Sequence, residues 1–367
     1  MDLKASSTTS VIKPKVYFYF VDALRGIAAL WVILFHAPLE GRLDLLTSVL
    51  PDWVVAVVFD WGAFGVPIFF VLSGFVIAHS LREAHINLAY FEGFSLRRLA
   101  RLTPPYYVSI VITIAFALLS SYVKNEAFAP GQEPLSFQRL LAHLFYLQDI
   151  FRLGHICDVY WTLCIEIQFY LVFCALLGLA QWLNYSRNLR FSRAVVFVPA
   201  ALAAALFPMG VFGDTGRPII FLPLWHGFLL GVFAYWSWRD KLKPMYFYFY
   251  SALLVTAGAI NSTKFSIVCV IVAILLLQAG RSNCMEVWLK WRSLQFLGHI
   301  SYSLYLTHTP IYGAVFFLGI KLLNRNALSE AFCLLLGIFV CVGFAALMWQ
   351  LVEKPSIHLS QKIKLVK

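Results

Sequence analysis

VDALRGIAALWVILFHAP, from Val21 to Pro38, is apolar enough to enter a bilayer, yet it carries an acid, a cation and an imidazole. Wound as an α-helix at about 100° per residue, the stretch returns Arg25 and His36 to nearly the same face, about 16 Å apart along the axis. Asp22 lies one turn before Arg25, within pairing reach of it. A charge at membrane depth costs at least about 2.5–3.5 kcal/mol on insertion scales, so such a face turns toward protein or water. Interfacial anchoring by Asp22 and Arg25, with His36 capping the helix before Pro38, is the alternative this segment leaves open.

Composition sets the solvent. The 367 residues are 61% hydrophobic and 13% charged, with a mean hydropathy of +0.77. Soluble domains carry about a quarter charged residues, so the reading is an integral membrane protein with several spans. A net charge of +11 suggests nucleic acid in a soluble protein. In a membrane protein it first suggests basic cytoplasmic loops, with a smaller share left for an anionic ligand, and no nucleic-acid partner is expected. The seven cysteines follow no zinc-binding or disulfide spacing, so they read as small core hydrophobes and no metal is expected.

A spanning helix needs about 20 mostly apolar residues. Ten segments qualify: 18–38, 54–80, 103–123, 159–183, 194–212, 218–238, 245–261, 265–280, 294–319 and 331–352. The predicted fold is therefore an all-α polytopic bundle of about ten transmembrane helices. Residues 1–17 are expected as a cytoplasmic tail, 18–352 as the membrane domain and 353–367 as a basic cytoplasmic tail. Most of the 29 basic residues fall in alternate connections, including Lys13 and Lys15, Arg97 to Arg101, Arg187 to Arg193, and Lys354 to Lys367. That asymmetry places both termini in the cytoplasm. The stretch 138–158 is too short to span and reads as an interfacial or re-entrant helix on the outer face.

Further polar residues punctuate the apolar runs. Ser73 sits among Gly62, Gly65 and Gly74, small residues that permit close helix packing in lipid. In FSLRRLARLTPPYY, Arg97, Arg98 and Arg101 crowd about one helical turn. Topology accounts for some of that charge. The planar fork of arginine also suits phosphate. Glu166, in DVYWTLCIEIQFYLV, needs a partner or a proton, either in an ion pair with Arg25 or in a relay. LGHISYSLYLTHTPI sets Ser301, Tyr305 and His308 along one helix face. His79, His143, His226 and His299 read as interfacial or satisfied core histidines.

FVDALRGIAALWVILFH, FFVLSGFVI, RRLARLTPPYY, YWTLCIEIQFYL, GHISYSLYLTHTPI and LVEKP, in that order over nearly the whole chain, resemble the acyltransferase-3 family of integral membrane acyltransferases. The resemblance is to a stand-alone form, without the extracellular SGNH domain of longer relatives. It implies O-acylation, with an acetyl or other short acyl group moving from cytoplasmic acyl-CoA, such as acetyl-CoA, to a carbohydrate or lipid-linked glycan at the inner membrane. The family pattern falls on Arg25, His36, Ser73, Arg98, Arg101 and Glu166, and on Tyr302, Tyr305 and His308. Residues 185–290 carry little of the pattern, and acceptor choice is expected there.

Acyl transfer needs a base for the hydroxyl proton, donors for the oxyanion and a grip on the carrier's charge. His36 is the candidate base, since an ordinary imidazole near pKa 6.5 is ready at cellular pH. Glu166 or Asp22 would orient it, with Arg25 beside them. Arg97, Arg98 and Arg101 would hold the CoA phosphates, with Ser73 on the donor side. Tyr302, Tyr305, His308 and Trp161 would meet the acceptor. An acyl-His36 intermediate is the chemical alternative. A proton-coupled or lipid-linked-sugar transporter is the functional one, because intramembrane Asp, Arg, Glu and His suit it on physical grounds alone.

Overall fold

The computed structural model describes residues 17–213 and 218–365. Lys13, Lys15 and Lys367, and with them nearly all of the expected N-terminal tail, lie outside the described residues. Helices account for all the regular structure among the described residues. In chain order they are α1 (Tyr19–His36), α2 (Asp44–Val49), α3 (Asp52–Val58), α4 (Gly65–Ser80) and α5 (Leu88–Lys124). Next come α6 (Phe137–Leu144), α7 (Trp161–Arg187), α8 (Ser192–Ala205), α9 (Trp225–Trp238) and α10 (Pro244–Ile260). The chain closes with α11 (Lys264–Arg281), α12 (Arg292–Leu322), α13 (Ala327–Met348) and α14 (Lys354–Lys362).

Seven helical stretches are long and apolar enough to cross a membrane, against the ten expected. The other three expected spans are helices of 14, 14 and 17 residues, namely α8, α9 and α10. At 1.5 Å per residue the two shorter ones reach about 21 Å, well short of a hydrocarbon core of about 30 Å. Of these, α9 is apolar all round because protein surrounds it, and nearly every residue from Trp225 to Ser237 is buried.

Two glycine contacts position the helices that matter for the site. Between α1 and α12, a Cβ on Gly298 would stand 2.2 Å from the Asp22 carbonyl oxygen, and one on Gly26 would stand 2.7 Å from the Gly298 nitrogen. Between α4 and α9, a Cβ on Gly74 would stand 2.0 Å from the Phe228 carbonyl oxygen, and one on Gly231 would stand 2.0 Å from that of Val71. Only glycine lets backbones approach this closely in a bundle.

The expected span at 103–123 starts earlier than its prolines suggest. Asn87 caps α5 by accepting a hydrogen bond from the Tyr90 amide at 2.8 Å, and the helix then runs through Pro104 and Pro105. Arg97, Arg98 and Arg101 therefore project from a helix, in fixed directions, and not from a loop. Asn125 ends α5 in the left-handed region. At the other end of the chain, the expected tail from residue 353 contains a helix. A π-helical turn, Trp349–Glu353, leads into α14, which packs back on the start of α5.

Within the stretch 138–158, only α6 and its turns are helical. Arg139 pins it by donating to the carbonyls of Pro130, Glu133 and Gly154 at 2.6–2.7 Å. His143, buried beside it, has its imidazole pushed down to about 4 by burial and accepts a hydrogen bond from the Ile156 amide. Six cysteines are buried and Cys284 is partly so, all as free thiols.

Candidate active site

One pocket gathers side chains from α1, α4, α5, α7 and α12. Arg25, Arg98 and Arg101 line it, together with Ser73, Glu166 and Tyr302. Arg98 and Arg101 share a face because they are three residues apart on a continuous helix. The Arg98 guanidinium also stacks over the Tyr170 ring, 4.7 Å from its centroid, a cation–π contact.

Glu166 is held by hydroxyls. Ser73 Oγ donates to Glu166 Oε1 at 2.7 Å, and the Tyr170 hydroxyl donates to the same oxygen. Tyr170 follows Glu166 by four residues, one turn along α7. Among the described residues no ion pair joins Glu166 to Arg25, so that alternative does not form. The expected Asp22–Arg25 pair does not form either. Asp22 sits beside the Tyr17 hydroxyl and the Gly298 backbone, on the α12 side of α1. Helical spacing allowed the pair, but Asp22 is not among the residues that line the pocket.

The carboxylate that acts on Arg25 and Arg101 is Glu353. It is buried on the π-helical turn and accepts from Ser303 Oγ at 2.6 Å and from the Ser303 amide at 3.2 Å. Sequence reasoning missed Tyr170, which lines the pocket, and the buried Glu353. The signals were present: Tyr170 at one turn from Glu166, and Glu353 as an acid closing an apolar run. Single-turn π segments occur often at functional sites.

Four other expected site residues, Arg97, Trp161, His36 and His308, stand apart from this pocket. Arg97 donates to the Ile363 carbonyl at 2.6 Å, tying α5 to the end of α14. Trp161 packs edge-on against Phe70. His36 lies at the far end of α1. Tyr305, whose hydroxyl shares a hydrogen bond with Thr162 Oγ1 at 2.8 Å, lines the pocket together with Thr162, and His36 does not.

One turn past Tyr305, His308 meets His36. His36 Nδ1 lies 2.8 Å from the Val32 carbonyl oxygen, and His308 Nδ1 lies 2.8 Å from that of Tyr305. A carbonyl oxygen only accepts, so both Nδ1 atoms carry protons. Neutral rings in this tautomer leave Nε2 as the basic nitrogen of each. The Nε2 of His308 lies 3.3 Å from Nδ1 of His36 and is occupied there. The Nε2 of His36 remains as the basic nitrogen on a half-buried side chain. The charged groups acting on His36 are Asp158 and Arg42.

A family model described as an acyltransferase domain matches residues 18–348. The chain belongs to this acyltransferase-3 family. It is an enzyme family that transfers acyl groups, and the helical membrane architecture agrees with that membership. The chain is 25% identical over 353 residues to YrhL of Bacillus subtilis (strain 168), whose name is that of a provisional peptidoglycan O-acetyltransferase. It is 24% identical over 340 residues to the peptidoglycan O-acetyltransferase OatA of Listeria monocytogenes serovar 1/2a. Each alignment takes in 80% of this chain, and the chain spans about half the length of these relatives (48% and 49%). A shorter match, 31% identical over 167 residues, is to the regulator of hypoxia-inducible factor 1 of Caenorhabditis elegans; it covers 41% of this chain and 32% of that protein. No solved structure matches the chain at a comparable level.

Proposed function

We propose that this chain is a membrane O-acyltransferase that moves an acetyl or other short acyl group from acyl-CoA to a hydroxyl of a carbohydrate acceptor. The observation that carries the reading is the pocket itself: three arginines, Arg25, Arg98 and Arg101, line one pocket together with Ser73, Glu166 and Tyr302. Such a set suits the phosphates of a nucleotide carrier, and their charge-assisted contacts are the strong kind. The acceptor class rests on the two bacterial relatives, whose names state peptidoglycan O-acetylation. The reading places the enzyme in the inner membrane, with both termini and the arginines on the cytoplasmic side.

In this reading the acyl arm runs from the arginines along α1 toward His36. The Nε2 atom of His36 takes the proton from the acceptor hydroxyl as its oxygen bonds to the thioester carbon. The C–S bond then breaks, and the proton passes to the departing thiolate. The test is direct. Purified protein in nanodiscs, given acetyl-CoA and a chitooligosaccharide, should release free CoA and produce an O-acetylated sugar by mass spectrometry. A transporter would bind or move a solute and release no CoA, and that outcome would overturn the reading.

A further inference from the structure

We infer that His308 is a positioning residue for His36, a neutral imidazole that helps to hold the base and steady its cation from behind, and not a group that touches the acceptor. The inference rests on the reading of His36 as general base.

Three observations carry it. His308 is fully buried, with no exposed surface through which a sugar would reach it. Both of its nitrogens are already committed. Nδ1–H donates to the Tyr305 carbonyl at 2.8 Å, and Nε2 faces Nδ1 of His36 at 3.3 Å and the Thr309 hydroxyl at 3.4 Å. The two rings meet edge to face, with centroids 5.0 Å apart. The single Nδ1–H of His36 is therefore shared, donated to the Val32 carbonyl at 2.8 Å and reaching His308 Nε2 at 3.3 Å. A hydrogen bond accepted from the nitrogen opposite the basic one orients the ring and steadies the cation that forms on it, which is the part a carboxylate plays in a hydrolase triad. Here the acceptor is a neutral imidazole. It steadies the cation without placing a buried negative charge in a membrane helix.

The proton balance is simple. The acceptor hydroxyl's proton arrives at Nε2 of His36, making an imidazolium. The Nδ1–H of that imidazolium strengthens its shared bond to the Val32 carbonyl and to His308, which stays neutral. The proton then leaves from Nε2 to the thiolate. His308 neither gains nor loses a proton over the cycle.

Two variants of similar volume separate this role from packing. His308→Gln retains an acceptor oxygen near the position of Nε2, and His308→Leu does not. With acetyl-CoA and chitotetraose as probes, His308→Leu should lower kcat on the order of 10–100-fold, the usual cost of removing the outer partner of a functional histidine. KM for both probes should stay unchanged, and His308→Gln should recover most of the loss. Equal losses in both variants, or a raised KM for chitotetraose at unchanged kcat, would overturn the inference. Solid-state NMR of the ¹⁵N-histidine-labelled protein in nanodiscs gives a readout independent of turnover. His36 should appear as the Nδ1–H tautomer, with an Nδ1 to Nε2 correlation to His308. A His36 protonated on Nε2 would also overturn it. If His36→Ala retains full transfer while the correlation is present, the base assignment fails and the histidine pair itself stands.

Discussion

At the scale of single residues, the two ends of α1 make different predictions. His36→Ala should lower acyl transfer by about 10²–10⁴-fold, the range for loss of a positioned general base. The protein should remain folded, because a half-buried side chain at a helix end carries little packing. Initial rates on purified variant, with a monodisperse elution profile as the control for folding, check this. Arg98→Ala and Arg101→Ala should instead weaken acyl-CoA binding. Losing one charge-assisted contact costs about 1.5–3 kcal/mol, or roughly 10–150-fold in affinity. Titration with acyl-CoA and with acyl-pantetheine, which lacks the nucleotide phosphates, separates phosphate recognition from other effects. Equal losses on both donors would remove phosphate binding as the role. Arg97→Ala should change donor affinity less, because that side chain is spent on the Ile363 carbonyl.

At the scale of elements, the α4–α9 crossing carries Ser73 into the site. Gly74→Ala places a Cβ 2.0 Å from the Phe228 carbonyl oxygen, and both helix backbones would have to part. Overpacking of this kind costs about 1–3 kcal/mol. The expected result is a lower melting midpoint in detergent and a further loss of activity, as Ser73 moves relative to Glu166. Gly343→Ala on α13 is the control, since a Cβ there meets nothing within 4 Å. It should leave the midpoint unchanged or raise it slightly, because alanine favours a helix over glycine by about 1 kcal/mol. A Gly74→Ala protein as stable as wild type would show that the crossing has more slack than its contacts imply.

At the scale of the whole molecule, the prediction concerns sidedness. The charge alternation expects the loops near Lys124 and Arg325 outside and those near Arg190 inside. In a variant freed of its seven native cysteines, a cysteine beside Lys124 should react with an impermeant maleimide in intact cells. One beside Arg190 should react only after permeabilisation. If the acyl group is delivered across the bilayer, label offered as acyl-CoA on one side of sealed vesicles should appear on acceptor confined to the other. Label only on acceptor sharing the CoA side would keep the transferase and remove the delivery route. An outside signal at Arg190 would overturn the expected topology, including the cytoplasmic placement of Arg97 to Arg101.

Much of this was legible in one dimension. The class of protein, its helical make-up and most of its polar site residues follow from local properties, because the cost of charge in an apolar run depends on the run itself. Arg25, Arg98, Arg101, Ser73, Glu166, Tyr302 and Tyr305 were all readable as interior polar groups, and the structure gathers them in one pocket. What the sequence could not settle was which of them meet. The Asp22–Arg25 pair was allowed by spacing and is absent among the described residues, while the Asp22 carboxylate sits by the Tyr17 hydroxyl. Arg97 was indistinguishable from its neighbours until α14 folded back to take it. Glu353 gained its place only when the π-helical turn set it against Ser303. His36 and His308 each looked like a lone imidazole, and only the packing of α1 on α12 makes them a pair. Sequence decides what each residue costs to bury; tertiary contact decides which partner offsets that cost, since partners are chosen by distance in space and not by distance along the chain.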